Sequence, residues 1–190
     1  MADPNNFQRR GAISNAHAGR EFEEAARLFF ENTGIAVGPA FSVPVGGCLK
    51  KRHNFDLGSE SPPILVECKS YTWTETWKSP SAKIRGMNEV MLLFSVSPPH
   101  YRKILFVLKH LHQRTQQSLA THYIRTQGHL IPEGVEIWEF DLDTKPARAF
   151  SHRSLVCRRN KLVGRLAPEY HRSSQRLRLF NGPVEGAKRE

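Results

Sequence analysis

Cysteine is scarce in this chain: three in 190 residues, Cys48, Cys68 and Cys157, with no CxxC pair among them. That spacing excludes a disulfide framework or a cysteine-built zinc site and suits a reducing interior. The nine histidines do not replace the missing ligands, because His110/His112 and His122/His129 match no standard zinc pattern. Long apolar runs are also missing. No stretch approaches the roughly 20 residues of a membrane-spanning helix, and Met1 to Ser14 lacks the apolar segment of a secretory leader. An intracellular protein of cytoplasm or nucleoid, without membrane attachment, is expected. Internal repeats and linkers are absent too, and 39% hydrophobic residues suffice for one substantial core.

Acidic residues are missing from one part of the chain. From Lys145 to the C-terminus there are 12 basic and 3 acidic residues, against 16 and 15 in residues 1–144. Nearly all of the net charge of +10 therefore lies in this last segment. Its arginines outnumber its lysines and alternate with apolar residues, as around Leu155, Val156, Leu162 and Val163. Arginine suits bidentate contact with phosphates or guanine edges, and the apolar interleaving suggests short strands folding onto the core. Arg158, Arg159 and Lys161 are its leading candidates for contact with nucleic acid. A solvated basic tail is the competing reading, and Gly182 to Glu190 reads as disordered.

Acids are present, by contrast, where desolvation makes them costly. Glu67-Cys68-Lys69 ends the apolar run Ile64-Leu65-Val66, and Asp56 lies between Phe55 and Leu57. An acid, any residue and a lysine in that order arise by chance about once in a chain this long, so the triplet alone proves little. Its placement in a buried strand is informative, because a charge there must be paired or put to use. Strand alternation sends Leu65, Glu67, Lys69, Tyr71 and Trp73 to one face and Val66, Cys68 and Ser70 to the other. Glu67 and Lys69 thus project side by side. Gly58-Ser59-Glu60-Ser61-Pro62-Pro63 reads as a hairpin loop joining two antiparallel strands, which would bring Asp56 beside Glu67. Two carboxylates suit a hard divalent cation such as Mg²⁺, which keeps several waters, and the backbone carbonyl of Cys68 is a further candidate ligand. A structural ion pair of Asp56 with Lys69 is the alternative.

Around this motif the periodicities predict a helix from about Ala16 to Asn32, stopped by Thr33-Gly34, with Phe22, Ala25, Ala26, Phe29 and Phe30 on its apolar stripe and Glu23 at the stripe's edge. A strand over Ala40 to Val45 and the two acid-bearing strands follow. A helix over Ser81 to Val96, a strand over Ile104 to Leu108, a helix over Leu111 to Thr126 and a last strand over Val135 to Phe140 complete the order αβββαβαβ.

With this order and these residues together, the chain resembles the PD-(D/E)XK nuclease superfamily, the restriction-endonuclease-like fold. The resemblance covers roughly residues 15–141. It implies an α/β fold whose αβββαβ core has a mixed central sheet flanked by helices, here over residues 15–144, with an N-terminal arm over 1–14 and the basic C-terminal extension over 145–190. It also implies Mg²⁺-dependent hydrolysis of DNA phosphodiester bonds, with Mn²⁺ able to substitute. Asp56 and Glu67 would hold the metal, Lys69 would orient or deprotonate the attacking water, and Glu23 would support a metal water or a second ion. Phe55 stands where the superfamily's namesake proline would be. One such core supplies one active site, so cutting both strands would call for a homodimer. RNA stays open as a substrate, as do roles in restriction, repair or recombination. A nuclease-fold module that binds nucleic acid without cutting is the alternative function. Trp73, Trp77 and Lys78, beyond the triplet, are candidates to stack on bases or hold the backbone, although packing under the second helix suits the tryptophans equally. Lys83, Arg85 and Asn88 are weaker contact candidates, and His53, three residues before Asp56, could lie near the site, with a surface loop as the favoured reading.

Overall fold

The apolar stripe of the first helix is buried. Phe22, Ala26 and Phe30 are at most 1% exposed, with Phe29 and Ala25 packed beside them. The computed structural model describes residues 7–150 apart from Glu75 and Lys145, and side chains from Ala16 onward. Helix α1 spans Phe7–Asn32, so it begins before the expected Ala16 and takes in most of the segment read as an N-terminal arm. Residues 7–15 contain no proline to stop a helix, whereas the apolar periodicity of the segment starts only at Phe22. Gly34 ends α1 with φ of +81°, its N–H donating to the Glu31 carbonyl at 2.9 Å, as the Thr33-Gly34 stop predicts.

Six strands follow: β1 (Gly38–Val45), β2 (Lys51–Glu60), β3 (Pro63–Lys69), β4 (Arg102–Leu108), β5 (Val135–Phe140) and β6 (Ala147–Phe150). They form one mixed sheet in chain order, with β3, β4 and β5 parallel and the outer pairings antiparallel. Helices α2 (Ser81–Val96) and α3 (Leu119–Gln127) make the two parallel crossovers and pack on one face, whereas α1 covers the other. Each face has its own core. Leu65, Leu105 and Ile137 point to the α2/α3 side, and Val66, Cys68, Ile104 and Phe106 to the α1 side. The chain is thus α/β, with a mixed sheet between helices as expected, and among the described residues no helix is long and apolar enough to cross a membrane.

Further boundaries differ from the sequence reading. The β2–β3 turn is only Ser61-Pro62, since Gly58, Ser59 and Glu60 continue the ladder opposite Leu65, Ile64 and Pro63. β3 stops at Lys69 and does not run on to Trp73. α3 starts at Leu119 and not Leu111, because Ser118 caps it by accepting the Thr121 N–H at 3.1 Å, while Leu111 and Ser118 close a polar loop between them. The sheet does not end at β5: β6, in the segment assigned to the basic extension, pairs with it from Phe140↔Ala147 to Ile137↔Phe150.

Candidate active site

Strand β2 breaks its own alternation at Asp56. Phe55 and Leu57, two residues apart, should share a face, yet Phe55 lies in the α2/α3-side core and Leu57 in the α1-side core. Directly across on β1, Ala40 has φ of +50°, a left-handed conformation that costs an L-residue about 1–3 kcal/mol. The β2–β3 ladder runs only from Glu60↔Pro63 to Leu57↔Val66. Past it the strands part, and Asp56 fills the gap: its Oδ2 accepts the Cys68 N–H at 2.7 Å. A side-chain acceptor thus replaces a missing ladder carbonyl and fastens Asp56 to the triplet.

On β3 the alternation holds as read. Glu67 is 7% exposed, and its Oε1 accepts from Lys69 Nζ at 2.8 Å. The ion pair is therefore Glu67–Lys69, two residues apart on one face, and not Asp56–Lys69. Glu67 Oε2 is buried without a hydrogen-bond partner. Burial, and then the charge of Asp56, push the Glu67 carboxyl above the usual range. Glu23 is raised as well, by burial first and then by Asp56 and Glu67, so the helix acid is electrostatically part of the same group. Burial alone would lower the Lys69 ammonium, but its attraction and hydrogen bond to Glu67 outweigh this and the net shift is upward. Lys69 in this state is a held cation, not a ready base. The Cys68 thiol, buried among acids, is pushed well up and is inert as a nucleophile.

Asp56 and Glu23 border a groove of about 360 Å³ between α1 and the start of β1, with Arg20, Arg27 and Pro39 on its walls. Among the described residues no set of three or more His, Cys, Asp or Glu side chains is arranged to hold a metal. A hard cation such as Mg²⁺ needs only one or two carboxylates and completes its shell with water. The donors fit that demand. Glu67 Oε2 is an oxygen without a partner, Asp56 still has Oδ1, and the repulsion that adds to burial in raising Glu23 and Glu67 is what a dication would relieve.

His53 lies in a strand near the site and not on the favoured surface loop. It sits on β2, half-buried, its ring edge-on to Phe55 at 4.8 Å and its Nε2 buried without a partner, and a charge on it would favour ionised Glu67. Its spacing of two from Phe55 was the available signal. Glu139, which the sequence reading passed over, is 5% exposed on β5 with Oε2 unpartnered, and Val107 separates it from Lys69 in the ladder.

The segment beyond β3 is mostly packing. Trp73 is 7% exposed, donates from Nε1 to the Gln117 carbonyl at 3.3 Å and lies against the His112 and His122 rings, so it is not available to stack on a base. Trp77 is half-buried with φ of +58°, its ring parallel to His110 at 6.0 Å, and Lys78 is exposed. Lys83 Nζ donates to the Thr72 carbonyl at 2.8 Å and Asn88 accepts from the Tyr123 hydroxyl at 2.9 Å, which are structural tasks. Arg85 is exposed on α2. Arg158, Arg159 and Lys161 lie outside the described residues. Compared with known protein families, curated proteins and solved structures, the chain matches no family model, no curated protein and no solved structure.

Proposed function

We propose that this chain is a Mg²⁺-dependent DNA endonuclease of the PD-(D/E)XK superfamily, with a restriction-endonuclease-like fold and an active site at Asp56, Glu67, Lys69 and Glu23. The observation that carries this reading is the hydrogen bond from the Cys68 N–H to Asp56 Oδ2, which sets one acid beside a buried Glu67–Lys69 pair that still has a free carboxylate oxygen. The strand order and the parallel β3–β4–β5 core also support it.

Asp56 and Glu67 would hold Mg²⁺, with Mn²⁺ able to substitute and the Cys68 carbonyl adjacent as a further ligand. When bound, the metal would polarise the scissile phosphate and make a water more acidic. Lys69, protonated and steered by Glu67, would orient the attacking water and stabilise negative charge developing on the phosphate oxygens. Glu23, its proton held more tightly than usual, would accept a hydrogen bond or a proton at the groove side of the site. Asp56, fixed by the Cys68 N–H, needs no rearrangement to bind. Two copies would cut two strands.

The test is cleavage of supercoiled plasmid and of linear, branched and single-stranded DNA with Mg²⁺, comparing wild type with Lys69→Ala and Asp56→Asn. Asparagine keeps an acceptor for the Cys68 N–H and removes the charge. Metal-dependent cutting that falls by about 10²–10³ in both variants, with folding retained, supports the reading. Binding without cutting on every substrate would leave a catalytically silent nuclease-fold module.

A further inference from the structure

Strand β2 pairs with β3 only from Leu57 to Glu60, but with β1 from Lys51 to Gly58. Phe41–Val45 and Lys51–Phe55 therefore form a two-stranded ribbon that reaches past β3. Its back is packed on the protein: Val43 and Phe55 belong to the α2/α3-side core, Phe55 stacks on Phe94 at 5.4 Å, and the Gly46 N–H donates to the Val96 carbonyl at 3.0 Å. Its front is open. Register and alternation put Ser42, Pro44, Arg52 and Asn54 there, with Arg52 lying across the face and donating to the Ser42 carbonyl at 2.7 Å. Residues 47–52 at the tip are all exposed, Leu49 at 90%.

The charge on this ribbon has one sign. From Ile35 to Phe55 there is no acidic residue, while Lys50, Lys51 and Arg52 stand in succession. The same strand then reaches Asp56, about 13 Å from Arg52 at about 3.3 Å per residue. That distance matches roughly four steps of a duplex at about 3.4 Å each. A ribbon with a covered back and a free front has the form that enters the major groove of B-form DNA, about 12 Å wide, whereas the major groove of A-form RNA is too narrow for side chains to read. Arginine and asparagine are the side chains that pair bidentately with guanine and adenine edges there, and lysines at the tip suit phosphates.

We propose that the front face and tip of the β1–β2 ribbon form the duplex-DNA contact surface, with Lys50 and Lys51 on phosphates and Arg52 and Asn54 at base edges beside the bond to be cut. This rests on the nuclease reading of Asp56, Glu67 and Lys69, and it narrows the substrate to B-form duplex.

The test is equilibrium binding of a labelled 30-base-pair DNA duplex by the full chain in EDTA across a salt series. The Lys50→Ala/Lys51→Ala protein should bind about tenfold or more weakly at 0.1 M salt, with the slope of log K against log salt shallower by about 1.8 for the two lost phosphate contacts. An Arg114→Ala/Arg125→Ala protein, with the same loss of charge from exposed positions elsewhere, should keep the wild-type slope. Equal effects of the two pairs, an unchanged slope in the ribbon variant, or equal affinity for duplex RNA would overturn the proposal. In selection from a randomised duplex library, a wild-type base preference that flattens in Asn54→Ala supports the base-edge role, and a preference unmoved in Asn54→Ala and Arg52→Ala overturns it. Plasmid cleavage by wild type and Lys69→Ala with Mg²⁺, run in parallel, separates the two readings. Lys69-dependent cutting with an indifferent ribbon refutes the ribbon alone. Ribbon-dependent binding without any cutting refutes the catalytic reading alone.

Discussion

Glu67 and Glu139 are both buried carboxylates with one oxygen unpartnered, but only Glu67 has a lysine against its other oxygen. Lys69→Ala would leave Glu67 buried and unpaired, so it should lower stability by about 2 kcal/mol, the usual cost of breaking such a pair discounted for its partial exposure. A Lys69→Ala/Glu67→Ala double variant should lose less than the sum of the singles, which denaturant melts of the four proteins would measure. Glu139 has a different consequence. Burial raises its carboxyl, so its folded form holds a proton more tightly than the unfolded chain does. The stability this contributes is complete below the ordinary glutamate range and is lost as pH rises through the folded value. Glu139→Gln should accordingly stabilise the protein by about 1–2 kcal/mol at pH 8, with the gain shrinking as pH falls toward 4 in thermal melts. At this scale the sequence was legible wherever simple alternation held: it set Glu67 beside Lys69, though not as an ion pair, and sent Cys68 to the opposite core. It was silent on Glu139, whose inward turn depends on which face of β5 is covered, and it left His53 between a surface loop and the site.

Between Ala40 and Asp56 the first two strands change faces together, and this places Asp56. Glycine tolerates a φ of +50° and a β-branched residue does not. Ala40→Gly should therefore keep stability and cutting, whereas Ala40→Val should cost about 1–2 kcal/mol and reduce cleavage more than DNA binding. Nearby, a Cβ on Gly58 would stand 2.5 Å from the Phe41 ring, so Gly58→Ala should destabilise by about 1–3 kcal/mol through overpacking. Element types and order could be read because the long periodic segments α1, α2, β4 and β5 carry strong apolar patterns. Ends were harder to read. Ser118 as a cap lies behind a polar loop that is helix-compatible in composition, and β6 has only four residues, ARAF, with one buried side chain.

For the whole molecule, the excess of acids over cations at the site is a standing cost that a bound ion would remove. Saturating Mg²⁺ should raise the melting temperature, by the equivalent of about 2.7 kcal/mol at 100 times its Kd. The rise should vanish in Asp56→Asn, and it should be larger at pH 8 than at pH 5, where protons compete for Glu23 and Glu67. Calorimetry with and without the ion checks this independently of any cleavage. The fold class was legible because three parallel or antiparallel pairings around the triplet follow from short turns and crossover helices. The face-switch at Asp56 was not, since it depends on backbone rotation at Ala40, a residue without a sequence signal for it.

The hydrogen bond from Gly46, beside the tip of the ribbon, to the last turn of α2 joins the ribbon to the helix that follows the triplet. Phe55 stacked on Phe94 is a second tie between ribbon and helix, and only Ser70 to Pro80 separates that helix from Lys69. Seating the tip would then stiffen the far end of α2 as well. Amide exchange at Gly46, and across the final turn of α2 where it packs on the ribbon, should slow together when duplex DNA is added.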